Sequence, residues 1–322
     1  MNDYYPMLMK PVYKETLWGG KKLKIAYGKA DAPEKTAESW ELSAIPGDES
    51  LVVNGRMQGK SLNELAALDR DGFWGTACPA ESFPLLLKLI DSEQDLSVQV
   101  HPSDANALNA LGERGKAEMW YVMDARPHSC LYLGFSRKVS EQELFESCGT
   151  GRVLELLNRV NVSAGDVFYI PPGTVHAIGA GITLAEIQQS SDTTFRIFDF
   201  NRLGADGKPR QLHWERAAAV TDYAPLLPSS CRANSMAQFP DFRLSELFSC
   251  RHFRTDRLEL HGSIGLRCSG DSFRSLLCVK GSCVLLHQGT AYTVETGQSY
   301  FLPAALGDYE LRGSCTLLLS RV

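Results

Sequence analysis

Residues 165–176 read GDVFYIPPGTVH, and residues 297–306 read GQSYFLPAAL. Both run through a glycine, a polar residue, a short apolar strand and a proline. In the first stretch Pro171, Pro172 and Gly173 make a rigid turn that delivers His176 at the start of the next strand. The second stretch ends without a histidine. A repeated β unit in which one copy keeps a potential ligand and the other has lost it is what a duplicated jelly roll leaves: one working barrel and one structural barrel.

Working outward, the segments at 38–53, 83–101, 118–125, 166–170, 183–188 and 194–200 are β-like runs cut by Gly, Pro, Asp and Ser turns. Ser61 with Glu64 and Ser140 with Glu143 have capping-box spacing before LNELAAL and QELFES. A third short helix is expected from Asp104 to Leu111, stopped by Gly112. From about Tyr223 to Gln238 the chain is rich in Pro, Ser and Ala without period, which suggests a linker. Closely spaced short strands follow. The expected fold is mainly β, with two jelly rolls: residues 1–230, bearing the working site and a helical insertion at about 102–160, and residues 231–322, without metal ligands.

The chain has 322 residues, enough for two domains with real cores. With 33 Lys+Arg against 38 Asp+Glu and a net charge of −5, no basic run invites a nucleic-acid backbone or an anionic membrane surface. A small anion held by a few placed cations is allowed. The nine cysteines are scattered, with no C-x-x-C pair, and read as reduced thiols of a cytoplasmic protein. The N-terminal stretch has no apolar h-region, and the most apolar run, FPLLLKLI, is short and broken by Lys88. Neither secretion nor membrane spanning is expected, and with no heptad or apolar patch legible the expected state is a monomer.

The chemistry gathers on three segments. Read as a strand, DLSVQVHP places Ser97, Gln99 and His101 on one face and Leu96, Val98 and Val100 on the other. That polar face meets either solvent or a barrel interior. In GKAEMWYV the same period groups Lys116, Glu118 and Trp120, a cation beside a carboxylate that by itself is more often a surface ion pair than a chemical site. With His176 on its turn, Gln99, His101 and Glu118 make a plausible shell for Zn²⁺ or another divalent first-row metal. No cysteine accompanies them, so a catalytic site is preferred to a structural one.

GDVFYIPPGTVH resembles the second cupin motif. Together with ESWELS, FPLLLKLIDSEQDLSVQVHPSD, KAEMWYV and FRIFDFNR it resembles the type I phosphomannose isomerases in their shorter bacterial form, over roughly Leu17 to Asp222 and more weakly beyond Gln238. The resemblance implies two cupin-type jelly rolls, the second degenerate. It also implies one zinc per chain on Gln99, His101, Glu118 and His176, the same shell the residues themselves suggest. Arg196 is implied as the active-site arginine, Lys116 as an acid/base or sugar-oxygen contact, and Ser97 and Lys88 as phosphate contacts. The implied reaction interconverts mannose 6-phosphate and fructose 6-phosphate through a cis-enediol. A different metal-dependent cupin enzyme and a sugar-phosphate-binding protein without catalysis stand as alternatives. For Lys88, snorkelling of the ammonium to water competes with anion binding. For Arg196, a structural ion pair with Asp192 or Asp199 competes with catalysis. Lys116, next to a divalent ion that disfavours its ammonium form, is the expected base, with Glu41 as another candidate. The larger relatives carry a long helical insertion that this chain reduces to a modest one between His101 and Gly165.

Overall fold

The computed structural model describes residues 4–79, 81–111, 114–204, 207–228, 230–231 and 233–322. The expected helix stop at Gly112, the first three residues, and residues 229 and 232 of the expected linker lie outside them.

Three sheets carry the architecture. A six-stranded antiparallel sheet runs in the order Val167–Ile170, Glu118–Ala125, Ile182–Gln189, Leu85–Ser92, Glu38–Leu42, Val12–Lys14. It faces a five-stranded sheet ordered Phe195–Phe198, Val98–Val100, His176–Ile178, Cys130–Phe135, Leu157–Asn161. These two are the walls of the first jelly roll. The ten-stranded third sheet, which includes Arg274–His287 and Gly307–Arg321, is the second.

Strand alternation sorts the apolar residues into layers. Leu85, Leu87, Leu89, Met119, Tyr121 and Ile187 leave the outer face of the six-stranded sheet and pack against Leu277, Phe301 and Leu318 of the second barrel. Ile90, Trp120, Val122 and Leu184, one residue out of phase, fill the space between the first barrel's walls. Val98, Val100, Phe195 and Ile197 leave the five-stranded sheet outward, against Leu144, Val153 and Ala217 of the short helices. These three short helices therefore decorate the side away from the second barrel, whereas the helix Leu62–Phe73 packs with Leu62, Leu65 and Phe73 in the layer shared with Phe273 and Phe301 of that barrel. The 102–160 stretch is not one helical block, because the barrel strands Glu118–Ala125 and Cys130–Phe135 stand between its helices.

Several local expectations are settled. Ser61 and Glu64 form the full reciprocal capping box. Ser140 accepts the Glu143 amide at 3.1 Å, but the Glu143 carboxylate is drawn to Arg137, so the box is half made. Leu96 departs from the Val98–Val100 face and packs with Trp18 and Trp120 inside the barrel, because the strand proper starts only at Val98. The expected linker is not loose. Leu226 and Cys231 donate backbone hydrogen bonds to Phe135 and Val167, and residues from Asn234 on are already a strand paired with Phe242–Ser249. The N-terminal strand Met7–Lys10 pairs with Ser299–Leu302, so the chain's first strand is part of the ten-stranded sheet of the second barrel. All nine cysteines are free. No described helix is long and apolar enough to cross a membrane.

Candidate active site

The interior face of the six-stranded sheet changes character along its length. At one end it presents Ile90, Val122 and Leu184, and at the other Lys88, Glu118 and Glu186. The polar end is where chemistry can collect, because strand pairing sets Glu186 directly between Lys88 and Trp120, and Gln188 beside Glu118. On the opposite wall, pairing aligns His176, Gln99 and Arg196 on three neighbouring strands, so the three side chains leave the same face in a row.

His101, Glu118 and His176 converge between the walls, all three essentially buried. Their ligand atoms lie within 4.8 Å of one another, the one such group of three metal-donor residues among the described residues. His101 Nε2 is 3.3 Å from Glu118 Oε1, and His176 Nε2 is 3.8 Å from Oε2. The turn that sets His176 also sets His101: Gly173, at φ +87°, donates its N–H to the His101 carbonyl at 2.9 Å. Each imidazole is oriented from behind by its Nδ1, on Thr193 O for His101 and on Thr174 O for His176, both at 2.9 Å. That fixes the tautomer and aims both Nε2 lone pairs at the cluster. The Trp120 ring meets His176 edge-on, with centroids 5.4 Å apart.

Electrostatics prepare these groups as ligands. Burial, reinforced by the nearby Lys116 ammonium, pushes His101 down to about 3 against the pull of Glu118, and burial lowers His176 as well. Both rings are therefore neutral at neutral pH. For Glu118 burial opposes the charge, but Lys116 and the two histidines outweigh it and hold the carboxyl well below the usual range. Yet His101 Nε2, His176 Nε2 and both Glu118 oxygens are buried without a hydrogen bond, and Lys116 Nζ, 3.0 Å from Oε1, meets the carboxylate only as an ion pair. Four orphaned donor atoms in so small a volume are costly unless an ion joins them. Two neutral imidazoles and a carboxylate are the donors a divalent zinc-type ion takes, with positions left over for water or substrate.

A cavity of about 320 Å³ adjoins the cluster, with Gln99, Lys116, Ser97, Lys88 and Arg196 in its walls. A larger cleft of about 1150 Å³ meets it at Asp192 and Thr194. Of the residues singled out in the sequence, only Glu41 lies elsewhere: it is buried on the far side of its strand, held by Lys29 and Ser39 at 2.6 Å each, which removes it as a candidate base. Lys88 neither snorkels nor stands unpaired. It is buried 3.2 Å from Glu38 and 3.4 Å from Glu186, and those carboxylates overcome the burial penalty and raise its pKa. The ground for expecting an anion there, an uncompensated ammonium, is thus gone, although Lys88 does line the cavity. Arg196 makes no ion pair among the described residues. Asp199 is taken by Arg202 and Arg210, Arg196 Nη1 donates to the Gln211 carbonyl at 3.0 Å, and its Nε is buried without a partner.

Three charged wall residues escaped the sequence reading: Glu38, Glu186 and Arg210. Burial raises Glu186 to about 7, with the Glu118 charge adding to the effect and Lys88 opposing it. A single charge inside each of the apolar runs LLLKLI and TLAEIQ was the available signal for a buried Lys88–Glu186 pair; Arg210 lies in a loop without period and had none.

Residues 7–128 match the catalytic domain of type I phosphomannose isomerase, and residues 245–322 match the cupin domain of mannose-6-phosphate isomerase. The mannose-6-phosphate isomerase ManA of Bacillus subtilis is 36% identical over 318 residues, covering 98% of this chain and 99% of the relative. The chain belongs to the type I phosphomannose isomerase family. A Streptococcus mutans mannose-6-phosphate isomerase is 34% identical over 98% of each chain. The crystal structure of the Bacillus subtilis mannose 6-phosphate isomerase superposes with a TM-score of 0.91 at 32% identity, over 98% of this chain and 99% of that one. A zinc-bound mannose 6-phosphate isomerase, 17% identical, shares the fold at a TM-score of 0.77 over 98% of each chain. The likeness runs through the C-terminal barrel, further than the roughly Leu17–Asp222 that the motifs alone support. As a phosphomannose isomerase the chain is an enzyme of the isomerase class, and its His–Glu–His cluster fits a metal-dependent one.

Proposed function

We propose that this chain interconverts mannose 6-phosphate and fructose 6-phosphate, with one Zn²⁺ held by Gln99, His101, Glu118 and His176. The observation that carries the reading is the cluster of neutral, pre-aimed imidazoles and an orphaned buried carboxylate beside a cavity walled by Lys116 and Arg196. Zinc bound there supplies Lewis-acid stabilisation of negative charge on the sugar oxygens. The rest of the work falls to side chains. Isomerisation moves a hydrogen between C1 and C2 of the opened sugar through a cis-enediol, so a group must take a proton from one carbon and return it to the other. Lys116, buried with its Nζ in the cavity wall, stands where the substrate's reacting end meets the cluster. Glu186, poised near 7, is a second group on the same wall able to hold or release a proton at neutral pH. Arg196, with no carboxylate ion pair among the described residues, offers a planar fork to the oxygens that gain charge.

In this reading residues 1–230 form the catalytic unit and residues 231–322 a structural barrel without ligands; the enzyme works as a cytoplasmic monomer on a small sugar phosphate, with neither nucleic acid nor membrane as partner. The test is to incubate the purified protein with mannose 6-phosphate and follow fructose 6-phosphate with and without a chelator. Turnover that stops on chelation and returns with zinc is expected. Absence of turnover in zinc-loaded protein would overturn the proposal.

A further inference from the structure

The strand Ile182–Gln189 ends where two demands meet. Its neighbour begins at Glu118, and the two pair as far as Gln188 opposite Glu118. One step further the Gln189 N–H still donates to the Ala117 carbonyl at 3.1 Å, but the Gln189 carbonyl does not return the bond. It is taken up by the turn that follows, accepting the Ser191 N–H and the Gln188 side-chain amide at 2.8 Å each. That turn carries the chain to Thr193, whose carbonyl holds His101 Nδ1. The buried Ala117 N–H, left without a backbone acceptor, donates to the side-chain Oε1 of Gln189 at 3.0 Å. Gln189 thus stands in for its own carbonyl. Its backbone makes the turn behind His101, and its side chain completes the ladder at the residue between Lys116 and Glu118.

The other end of the Gln189 amide is also engaged. Its Nε2 donates to Asp104 Oδ1 at 3.0 Å, and the same oxygen accepts the Gly115 N–H at 2.9 Å. Beside it the Lys116 N–H donates to the Pro102 carbonyl at 3.0 Å. The chain therefore leaves His101, makes the excursion that contains the helix Asp104–Leu111, and is fastened at its base just before Lys116. The closure is tight: a Cβ on Gly115 would collide with the Asp104 backbone, so only glycine passes there. Asp104 Oδ2 faces a hairpin tip of the second barrel, 3.6 Å from Arg251 Nη2 and 3.8 Å from His252 Nε2. Both Asp104 and Gln189 line the larger cleft and neither lines the cavity beside the metal cluster.

We infer that Gln189 and Asp104 are positioning residues, a clasp that fixes Lys116 and Glu118 relative to His101 through the backbone, without touching substrate or metal. Glu118 is the first residue of its strand, and a strand end frays unless something holds it. The clasp supplies that hold from both sides: Gln189 on the ladder at Ala117, and Asp104 on the chain just before Lys116. The work assigned to Lys116 and Glu118 rests on the isomerase reading; the clasp itself rests on the geometry.

The experiment uses the zinc-loaded protein and reads, for each variant, zinc retention against a competing chelator, Tm, and steady-state kinetics on mannose 6-phosphate. Gln189→Met removes both side-chain bonds of the clasp. It should weaken zinc binding about 10- to 100-fold and lower kcat by about tenfold or more, with KM within about threefold. Asp104→Ala, which removes the shared acceptor, should shift zinc affinity and kcat in the same direction. Asp104→Asn keeps that acceptor and gives up only the charge facing Arg251 and His252, so it should restore most of what Asp104→Ala loses. Should Gln189→Met not fold, the two Asp104 variants carry the test alone, on a side chain that is partly exposed. A folded Gln189→Met protein with wild-type zinc affinity and kcat, whatever its Tm, would overturn the inference with the isomerase reading intact, and so would Asp104→Asn behaving no better than Asp104→Ala. Zinc binding that weakens in Gln189→Met when the wild type itself shows no turnover would sink the isomerase reading and keep the clasp.

Discussion

Replacing Arg196 by lysine separates a catalytic from a structural arginine, and the two effects can be sized. The structural account required an ion pair with Asp192 or Asp199; no such pair exists among the described residues, and Asp199 is saturated by Arg202 and Arg210. What Arg196→Lys removes from the fold is one hydrogen bond to the Gln211 carbonyl, about 1 kcal/mol, while the positive charge is kept. The net change in stability should stay within about 1 kcal/mol, a Tm shift of no more than about 4 °C for a chain of this size. The catalytic loss should be far larger. An ammonium cannot reproduce a planar fork aimed at oxygens that gain charge, and deleting a comparable donor costs roughly 100- to 1000-fold in kcat, about 3–4 kcal/mol. A coupled assay for fructose 6-phosphate, with melting temperature and zinc content measured on the same preparation, reads both numbers. A variant that keeps near-normal kcat and loses several degrees of Tm would refute the reasoning and return Arg196 to the scaffold.

His176→Ala should lose both zinc and activity while the wild type carries about one ion per chain; elemental analysis showing full zinc in the variant, or two tightly held ions in the wild type, would contradict the ligand set. Lys88→Met leaves Glu38 and Glu186 buried without their counter-charge, so it should destabilise by about 3–5 kcal/mol in denaturant titration, whereas an ammonium of minor importance would be lost at little cost. For Asp199 burial opposes the charge, but Arg210 and Arg202 prevail and keep its carboxyl below the ordinary value. A carboxyl depressed on folding adds stability that is present above its unfolded pKa, about 3.9, and is lost as pH falls through the folded value. Wild-type Tm should accordingly drop on acidification below about pH 4 more steeply than that of Asp199→Asn, and parallel profiles would show that the clamp contributes nothing.

What was legible in the sequence followed from short-range geometry. Period two along a strand groups Lys116 with Glu118 and Gln99 with His101, and a Pro-Pro-Gly turn fixes the next strand's first residue, so His101, Glu118 and His176, which the fold brings together, could be named as candidate metal donors before any contact was known. What was not legible depends on pairing between distant segments. Lys88 and Glu186 become partners only because two strands nearly a hundred residues apart align in one register. Glu41 and Glu38 look alike in the text, yet alternation sends Glu38 into the cavity and Glu41 to Lys29. Arg210 enters the wall through a loop, where no periodicity points. The half-made cap at Ser140 has the same origin, since Arg137 competes for Glu143 once the chain is folded.

The duplicated unit explains why one barrel works and the other only supports it. Gly165 and Gly297 both sit at positive φ, +95° and +86°, and each is followed two residues later by a four-residue strand and then a proline. The backbones are therefore equivalent up to that proline. After Pro171 a second proline and Gly173 turn the chain back so that His176 enters a strand between two others, facing inward beside Gln99. After Pro303 the chain makes a short 3-10 turn, Ala304–Leu306, whose Ala304 and Leu306 are buried. That second barrel is filled with Leu258, Leu276, Cys278 and Leu285 where the first holds charges. Its outer face, with Phe273, Leu277, Phe301 and Leu318, is apolar too and lies against the six-stranded sheet, where Phe83 meets Phe273 at a tilt and Phe301 edge-on. The outer residues of Leu85–Ser92 and Glu118–Ala125 are locked by that packing, and the same strands carry Lys88 and Glu118 on their inner faces. A barrel without ligands thus holds still the wall on which the other barrel's chemistry stands.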